Sequence, residues 1–235
     1  MVVDQNFHKV KKYSLLFFLF LLFASKSYSS NYILTKIVEL DEPWGSSFIN
    51  KNEIIISEKN GKIKIVNIYS AQILEVKHNL NFLNIGQGGL LDIIHQNNNL
   101  WISYSEDRGD RKTSTSIAKA KLNRKKINFK NIFQAYPPID SGYHFGSRLA
   151  IKGNYLFASV GERGKGMIAQ DPTKHPGSII RIYTDGSIPK DNPKFKGKPN
   201  WLSEIYQIGV RNPQGLTLSP YDKKIYLSNH GARGG

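Results

Sequence analysis

A phrase that recurs four times constrains this chain more than any other feature. Each copy starts at a glycine, continues as a half-apolar segment and turns through Asn, Lys, Gly or Pro-Asp residues. It then resumes as an apolar segment and closes on a serine near a polar residue. The copies run over Gly45–Glu58, Gly89–Glu106, Gly146–Glu162 and Gly215–His230. Short apolar runs bounded by turn residues read as strands. In the clearest case Asn60-Gly61 separates Glu53–Ser57 from Lys62–Val66, and Asn-Gly supplies the positive φ angles of a tight hairpin. The glycines are spaced by 44, 57 and 69 residues, close to propeller blades of about 40–50 residues with loop insertions. A sandwich would also show short strands, but not this recurring phrase. The expected fold class is all-β, a β-propeller with about four blades present.

Charge first points elsewhere. With 33 Lys+Arg against 18 Asp+Glu the formal net charge is +15, which suits a nucleic-acid binder. The N-terminus changes that reading. Lys9, Lys11 and Lys12 precede ten uncharged apolar residues, Leu15–Ala24, and Ser27-Tyr28-Ser29 follows with small-x-small spacing. That is the layout of a secretory signal over residues 1–29. The apolar run is half of the roughly 20 residues a spanning helix needs, so no stable membrane span is expected. Residues 30–235 then carry 29 basic against 17 acidic residues, still +12. Their densest basic patch, Lys121–Lys126, reads as a solvated hairpin tip. A periplasmic or secreted protein with no nucleic-acid partner is expected. The chain has no Cys, which excludes disulfides, thiol nucleophiles and Cys-ligated metals.

Propeller geometry predicts where chemistry sits. The first strand of each blade lines the central channel, so the residues just before it gather at one mouth. Those positions hold Pro43-Trp44, Gln87, His144 and Arg211–Gln214, and the second strands end near Glu58, Glu106, Glu162 and His230. A base, a guanidinium and several amides on one rim have the composition of a site. Trp44 is expected to pack in the core, and His78, His95 and His175 have no partner that sequence can supply.

On these phrases the chain resembles the soluble quinoprotein glucose/sorbosone dehydrogenases, also called aldose sugar dehydrogenases. The resemblance rests on Pro43-Trp44-Gly45, Gly86–Asp92, His144–Leu149, Gly161–Gly164, Ala169–Asp171, Gly177 with Arg181-Ile182, Asp185–Pro193, Arg211–Leu216 and His230-Gly231, which occur in family order. It implies a six-bladed propeller holding pyrroloquinoline quinone over calcium, an aldose or related aldehyde oxidised at the anomeric carbon to a lactone, and an external electron acceptor, a quinone or cytochrome. It makes His144 the general base, with Glu162 and Arg211 beside it. It makes Gln87, His144, Arg211 and Asn212 cofactor contacts, and the backbone carbonyls of Gly231 and Ala232 calcium ligands. The chain departs from the family by carrying Glu162 where Asp is usual and Ala232 where Pro is usual. It also stops after about four blades, so residues 30–235 are expected to form a partial propeller truncated at the C-terminus.

The chemistry suits these side chains. Neutral imidazole is a good base near neutral pH, and calcium with a guanidinium can stabilise charge developing on a quinone oxygen. Two rivals stand beside this reading: a calcium-dependent hydrolase of the lactonase type, and a non-catalytic binding propeller or inactive fragment.

Overall fold

The structure is a computed structural model that describes residues 32–194, 197 and 199–232; the expected signal over residues 1–29 lies outside them. Tyr32–Lys36 fall in the first of two units, Met1–Lys36, and carry no strand or helix. The sheets belong to the second unit, Ile37–Gly235.

Each recurring phrase becomes the first two strands of one sheet. The first sheet runs β1 (Pro43–Asn50), β2 (Glu53–Glu58), β3 (Ile63–Asn67) and β4 (Ile73–His78), each antiparallel to the one before. The second uses β5 (Leu90–Gln96), β6 (Asn99–Asp107) and β7 (Thr113–Lys121). Its chain then makes the short β8 (Lys126–Ile127) and returns as the outer strand β9 (Lys130–Gln134). β8 pairs in parallel with β4 and so ties the second sheet's excursion to the first. The third sheet is β10 (Gly146–Lys152), β11 (Tyr155–Val160), β12 (Ser178–Tyr183) and β13 (Ile205–Ile208). β14 (Pro213–Leu218) and β15 (Ile225–Asn229) form a two-stranded fourth sheet. The first strands adjoin in sequence: β1 touches β5, β5 touches β10, and β10 touches β14. This is a propeller arc of three four-stranded blades and, among the described residues, the inner two strands of a fourth.

Strand periodicity explains how one sheet serves two interfaces, because successive side chains point to opposite faces. On β6, Leu100, Ile102 and Tyr104 pack with Ile55, Ile63 and Ile65 of the first sheet, while Trp101 joins the cluster of the third. On β11, Leu156, Ala158 and Val160 face the second sheet, and Phe157 packs with Val210 and Leu216 towards the fourth. The near-continuous apolar runs of these strands follow from burial on both faces. Lys121 and Asn123–Lys126 are exposed, as the solvated-tip reading expected.

The serine in the phrase has a specific task. Ser57 on β2 donates to the carbonyl of Leu91 on β5. Ser103 on β6 donates to Ser147 on β10 at 2.6 Å, and Ser159 on β11 donates to Pro213 at the start of β14 at 2.8 Å. In each case the second strand of one sheet reaches the inner strand of the next. All three serines are fully buried, where an unmet carbonyl is costly. Glycine lets the inner strands approach this closely: a Cβ on Gly45 would lie 2.6 Å from the Leu91 carbonyl oxygen. A part-buried ion pair closes the same seam. Asp92 accepts from Leu149 N at 2.9 Å and from Arg148 Nη1 at 3.1 Å, and Arg148 Nε donates to the Gln214 carbonyl at 2.9 Å. Burial pushes the Asp92 carboxyl above the usual range despite these donors.

Ser103 also accepts from Asp92 N at 3.0 Å, so Ser103→Ala strands a buried N–H as well as a buried carbonyl. It is expected to lower stability by about 2–3 kcal/mol in urea unfolding, whereas Ser70→Ala, on an exposed turn, is expected to change it by under about 0.5 kcal/mol.

Candidate active site

At the end of the sheets where the first strands begin, four connections meet. They are the turns before β5, β10 and β14 and the segment following β11. Gly161 lets the last of these lie against the turn carrying His144. Its N–H donates to the Phe145 carbonyl at 3.1 Å, and a Cβ there would fall 2.0 Å from the His144 carbonyl oxygen.

His144 sits in the left-handed region at φ 50°, which costs a non-glycine residue about 1 kcal/mol or more. Its backbone is gripped on both sides. Gln87 Oε1 accepts from His144 N at 2.9 Å, and Arg163 N donates to the His144 carbonyl at 3.3 Å. Gln87 is in turn fixed by its own N–H, 2.8 Å from the Gly142 carbonyl. The imidazole Nδ1 lies 2.6 Å from Glu162 Oε1. With Glu162 ionised, Nδ1 carries the proton and Nε2 is left with a lone pair. Among the described residues no hydrogen bond reaches Nε2, and the side chain keeps 14% of its surface open. Tyr143 flanks the ring at 6.1 Å between centroids.

Glu162 is the hub. Its carboxylate is 4% exposed; Oε2 accepts from Gly166 N at 3.0 Å, and Oε1 lies 3.8 Å from Arg211 Nε. A short hydrogen bond to a charged group contributes about 1.5–3 kcal/mol, while a partly exposed ion pair at 3.8 Å contributes about 1 kcal/mol or less. Glu162 therefore serves His144 first and Arg211 second. The longer side chain, Glu in place of Asp, still reaches the imidazole. Arg211 Nη1 donates to the carbonyls of His230 at 3.1 Å and Gly231 at 3.4 Å. Its neighbour Asn212 is buried, with Oδ1 accepting from Gly146 N at 3.1 Å.

Sequence reasoning brought His144, Glu162, Arg211, Gln87 and Asn212 to one place, and the structure links them by hydrogen bonds and the Glu162–Arg211 ion pair. Two other rim positions do not join. Glu58 pairs with Lys64 Nζ at 2.9 Å inside its own sheet. Glu106 accepts from Ser116, Asn131 and Gln134 within the second sheet. Each carboxylate is bonded by donors of its own blade, though in Glu58 these reach only Oε1 and leave the buried Oε2 without a hydrogen bond. Trp44 also departs from expectation. It is half-buried and lines a cavity of about 240 Å³ with Pro43, Gly146, Arg148 and Gln214. His78 is structural, with Nε2 2.7 Å from the Gly61 carbonyl, and buried His175 accepts from Tyr136 N at 2.9 Å. The residue that sequence reasoning missed is Arg163, fully buried beneath the His144 turn. Next to Glu162 it reads as a surface charge, and its partners Tyr143 and Thr113 lie 20 and 50 residues away.

Comparison with known proteins places this geometry. The model of the Glucose / Sorbosone dehydrogenase family matches residues 40–235. The chain belongs to this family. It is 33% identical over 207 residues to the aldose sugar dehydrogenase YliI of Escherichia coli K12, a match covering 84% of this chain and 56% of the relative. It is 28% identical to quinoprotein glucose dehydrogenase B of Acinetobacter calcoaceticus, covering 86% and 48%. The apo-form crystal structure of the E. coli soluble aldose sugar dehydrogenase superposes with a TM-score of 0.78 at 33% identity, covering 83% of this chain and 59% of that one. The PQQ-bound aldose sugar dehydrogenase from Streptomyces coelicolor shares the fold, with a TM-score of 0.73 at 22% identity, covering 85% and 60%. The chain spans about half the length of the curated relatives it matches. Its fold class is that of the six-bladed propeller family.

The family's groups can be tested against the residues present. The carbonyls of His230 and Gly231 converge on one positive group, the Arg211 guanidinium. Carbonyl oxygens are the donors a hard ion such as calcium takes, and Ala232 follows Gly231 in the same turn. The Arg211 guanidinium, one-third exposed, is the kind of donor an anionic quinone takes. In donor type alone, these residues suit both groups.

Gly161→Ala forces a Cβ into the His144 carbonyl. It is expected to cost about 2–4 kcal/mol in urea unfolding, whereas Gly153→Ala, whose Cβ would meet nothing within 4 Å and which bears only the strain of a φ of 59°, is expected to cost less.

Proposed function

We propose that this chain carries the catalytic face of a quinone-dependent sugar dehydrogenase that oxidises an aldose, or a related aldehyde sugar, at its anomeric carbon to the lactone. The observation that carries the reading is the His144–Glu162 pair at 2.6 Å, set among Gln87, Arg211 and Asn212 and leaving one imidazole nitrogen available. Oxidation of a hemiacetal removes a proton from the hydroxyl and a hydride from the carbon. Pyrroloquinoline quinone, when bound, supplies the two-electron acceptor, and calcium supplies positive charge beside it.

The chain's own residues account for the proton. Nε2 of His144 takes it from the anomeric hydroxyl. Nδ1–H stays on Glu162, which fixes the tautomer and stabilises the imidazolium once the proton has moved. Gln87 holds the His144 backbone, so the base does not retreat from the substrate. Arg211, one-third exposed, directs positive charge at the rim where the cofactor's negative charge would lie. Calcium would be held by the carbonyls of Gly231 and Ala232. The sugar is the small-molecule partner, and an external quinone or cytochrome completes the turnover. Export to the periplasm or the exterior is part of the same proposal, supported by the pattern of residues 1–29. Among the described residues no helix is long and apolar enough to cross a membrane.

The test is dye reduction by the protein with a panel of aldoses, after addition of pyrroloquinoline quinone and calcium. Reduction that depends on all three components is expected, and its absence with every aldose and aldehyde would overturn the reading. Lactone hydrolysis without added quinone would favour the hydrolase. His144→Asn is expected to lower kcat by about 10²–10⁴ with little change in KM. Glu162→Gln is expected to lower kcat about 10–100-fold, because it keeps the side chain's shape and loses the charge that holds Nδ1–H. Steady-state kinetics across the aldose panel measures both.

A further inference from the structure

Arg163 is an unusual residue to find without exposed surface. Its side chain is among the largest fully buried in the protein. Its four side-chain hydrogen bonds go to carbonyls and a hydroxyl rather than to a carboxylate. Nε donates to the Tyr143 carbonyl at 3.0 Å and Nη1 to the Thr113 carbonyl at 2.9 Å. Nη2 donates to Thr113 Oγ1 at 2.7 Å and to the Ser141 carbonyl. The guanidinium stacks on the Phe145 ring, 3.8 Å from its centroid. Two of these acceptors, Ser141 and Tyr143, belong to the turn that ends at His144. Thr113 is the first residue of β7, in the neighbouring sheet. One side chain therefore pins the His144 turn to a rigid strand, while its own backbone N–H holds the His144 carbonyl. Burial pulls the Arg163 guanidinium down to about 10, so it stays charged near neutrality.

A backbone in the left-handed region persists only where its surroundings over-determine it. Gln87 and Glu162 restrain His144 from two sides, and Arg163 ties down the turn before it. We propose that Arg163 is a positioning residue for the dehydrogenation, holding the Ser141–His144 turn so that the imidazole keeps Nδ1 on Glu162 and turns Nε2 to the substrate. A guanidinium is required because its planar fork reaches acceptors on two elements at once, which a lysine ammonium cannot reproduce. This rests on the reading of His144 as the base.

The experiment is ring ¹⁵N–¹H NMR of the histidines in the protein without quinone, calcium or sugar. The His144 signals are identified by their loss in His144→Asn. The unmodified protein is expected to show one dominant tautomer, protonated at Nδ1. In Arg163→Met the two ring ¹⁵N shifts are expected to move towards each other as the tautomers mix, with Arg163→Lys intermediate. Thr113→Val removes a single acceptor and is expected to move the shifts less, in the same direction. Unchanged His144 shifts in a folded Arg163→Met protein would overturn the proposal. If that variant fails to fold, Thr113→Val decides by the same criterion. In active protein Arg163→Met is expected to lower kcat about 10-fold or more with KM nearly constant. Because the tautomer is read without cofactor, shifts that move in a protein inactive in dye reduction sink the dehydrogenase reading and leave Arg163 only as the residue that sets the His144 tautomer. Shifts that stay fixed sink only the role of Arg163.

Discussion

The architecture of this protein depends on inner strands packing so closely that a single Cβ at Gly45 would collide with the neighbouring backbone. Backbone carbonyls at such a seam cannot be left unmet. The buried serines of the second strands meet them from one sheet to the next, at Leu91, Ser147 and Pro213. Each bond is modest, near 1 kcal/mol net. Its repetition fixes the height of each sheet against its neighbour, which apolar contact alone does not do, since burial is non-directional. The turns that carry His144, Gln87 and Arg211 start from these inner strands and inherit that alignment.

The site is built on the same economy of space. Gly161 lets two backbones touch, and the His144 turn is strained and then gripped by Gln87, Arg163 and Glu162. The proposed function needs the imidazole at one angle, because a small misplacement of a reacting group costs orders of magnitude in rate. A flexible turn would lose that angle to entropy. The charges are arranged with matching restraint. Glu162 serves His144 closely and Arg211 at longer range, so Arg211 keeps its directional donors for the His230 and Gly231 carbonyls.

Recurrence in the sequence exposed most of the fold, because each blade is one unit repeated and the phrase spans its first two strands. Strand identities were legible from apolar runs and from Asn60-Gly61. The outer strands were harder to read. β8 is two residues long and pairs across sheets, and β13 follows a long excursion, so neither has a local signature. The rim argument found His144, Glu162, Arg211, Gln87 and Asn212 from blade-equivalent position. It overreached at Glu58 and Glu106, which hold the equivalent position but find donors within their own sheets. Position in a repeat says where a side chain starts, not where its charge is satisfied.

The sequence by itself determined the repeat, the strand class, the absence of thiol chemistry and the residue types at the channel mouth, since these follow from local pattern and composition. Only the tertiary structure decided that Glu162 reaches His144 and that Arg163 lies buried beneath it. It also decided that Trp44 borders a cavity rather than filling the core. The reason is physical: hydrogen bonds between residues 18, 20 and 50 positions apart depend on how sheets stack. No local propensity encodes the few tenths of an ångström that separate a bonded pair from a solvated one.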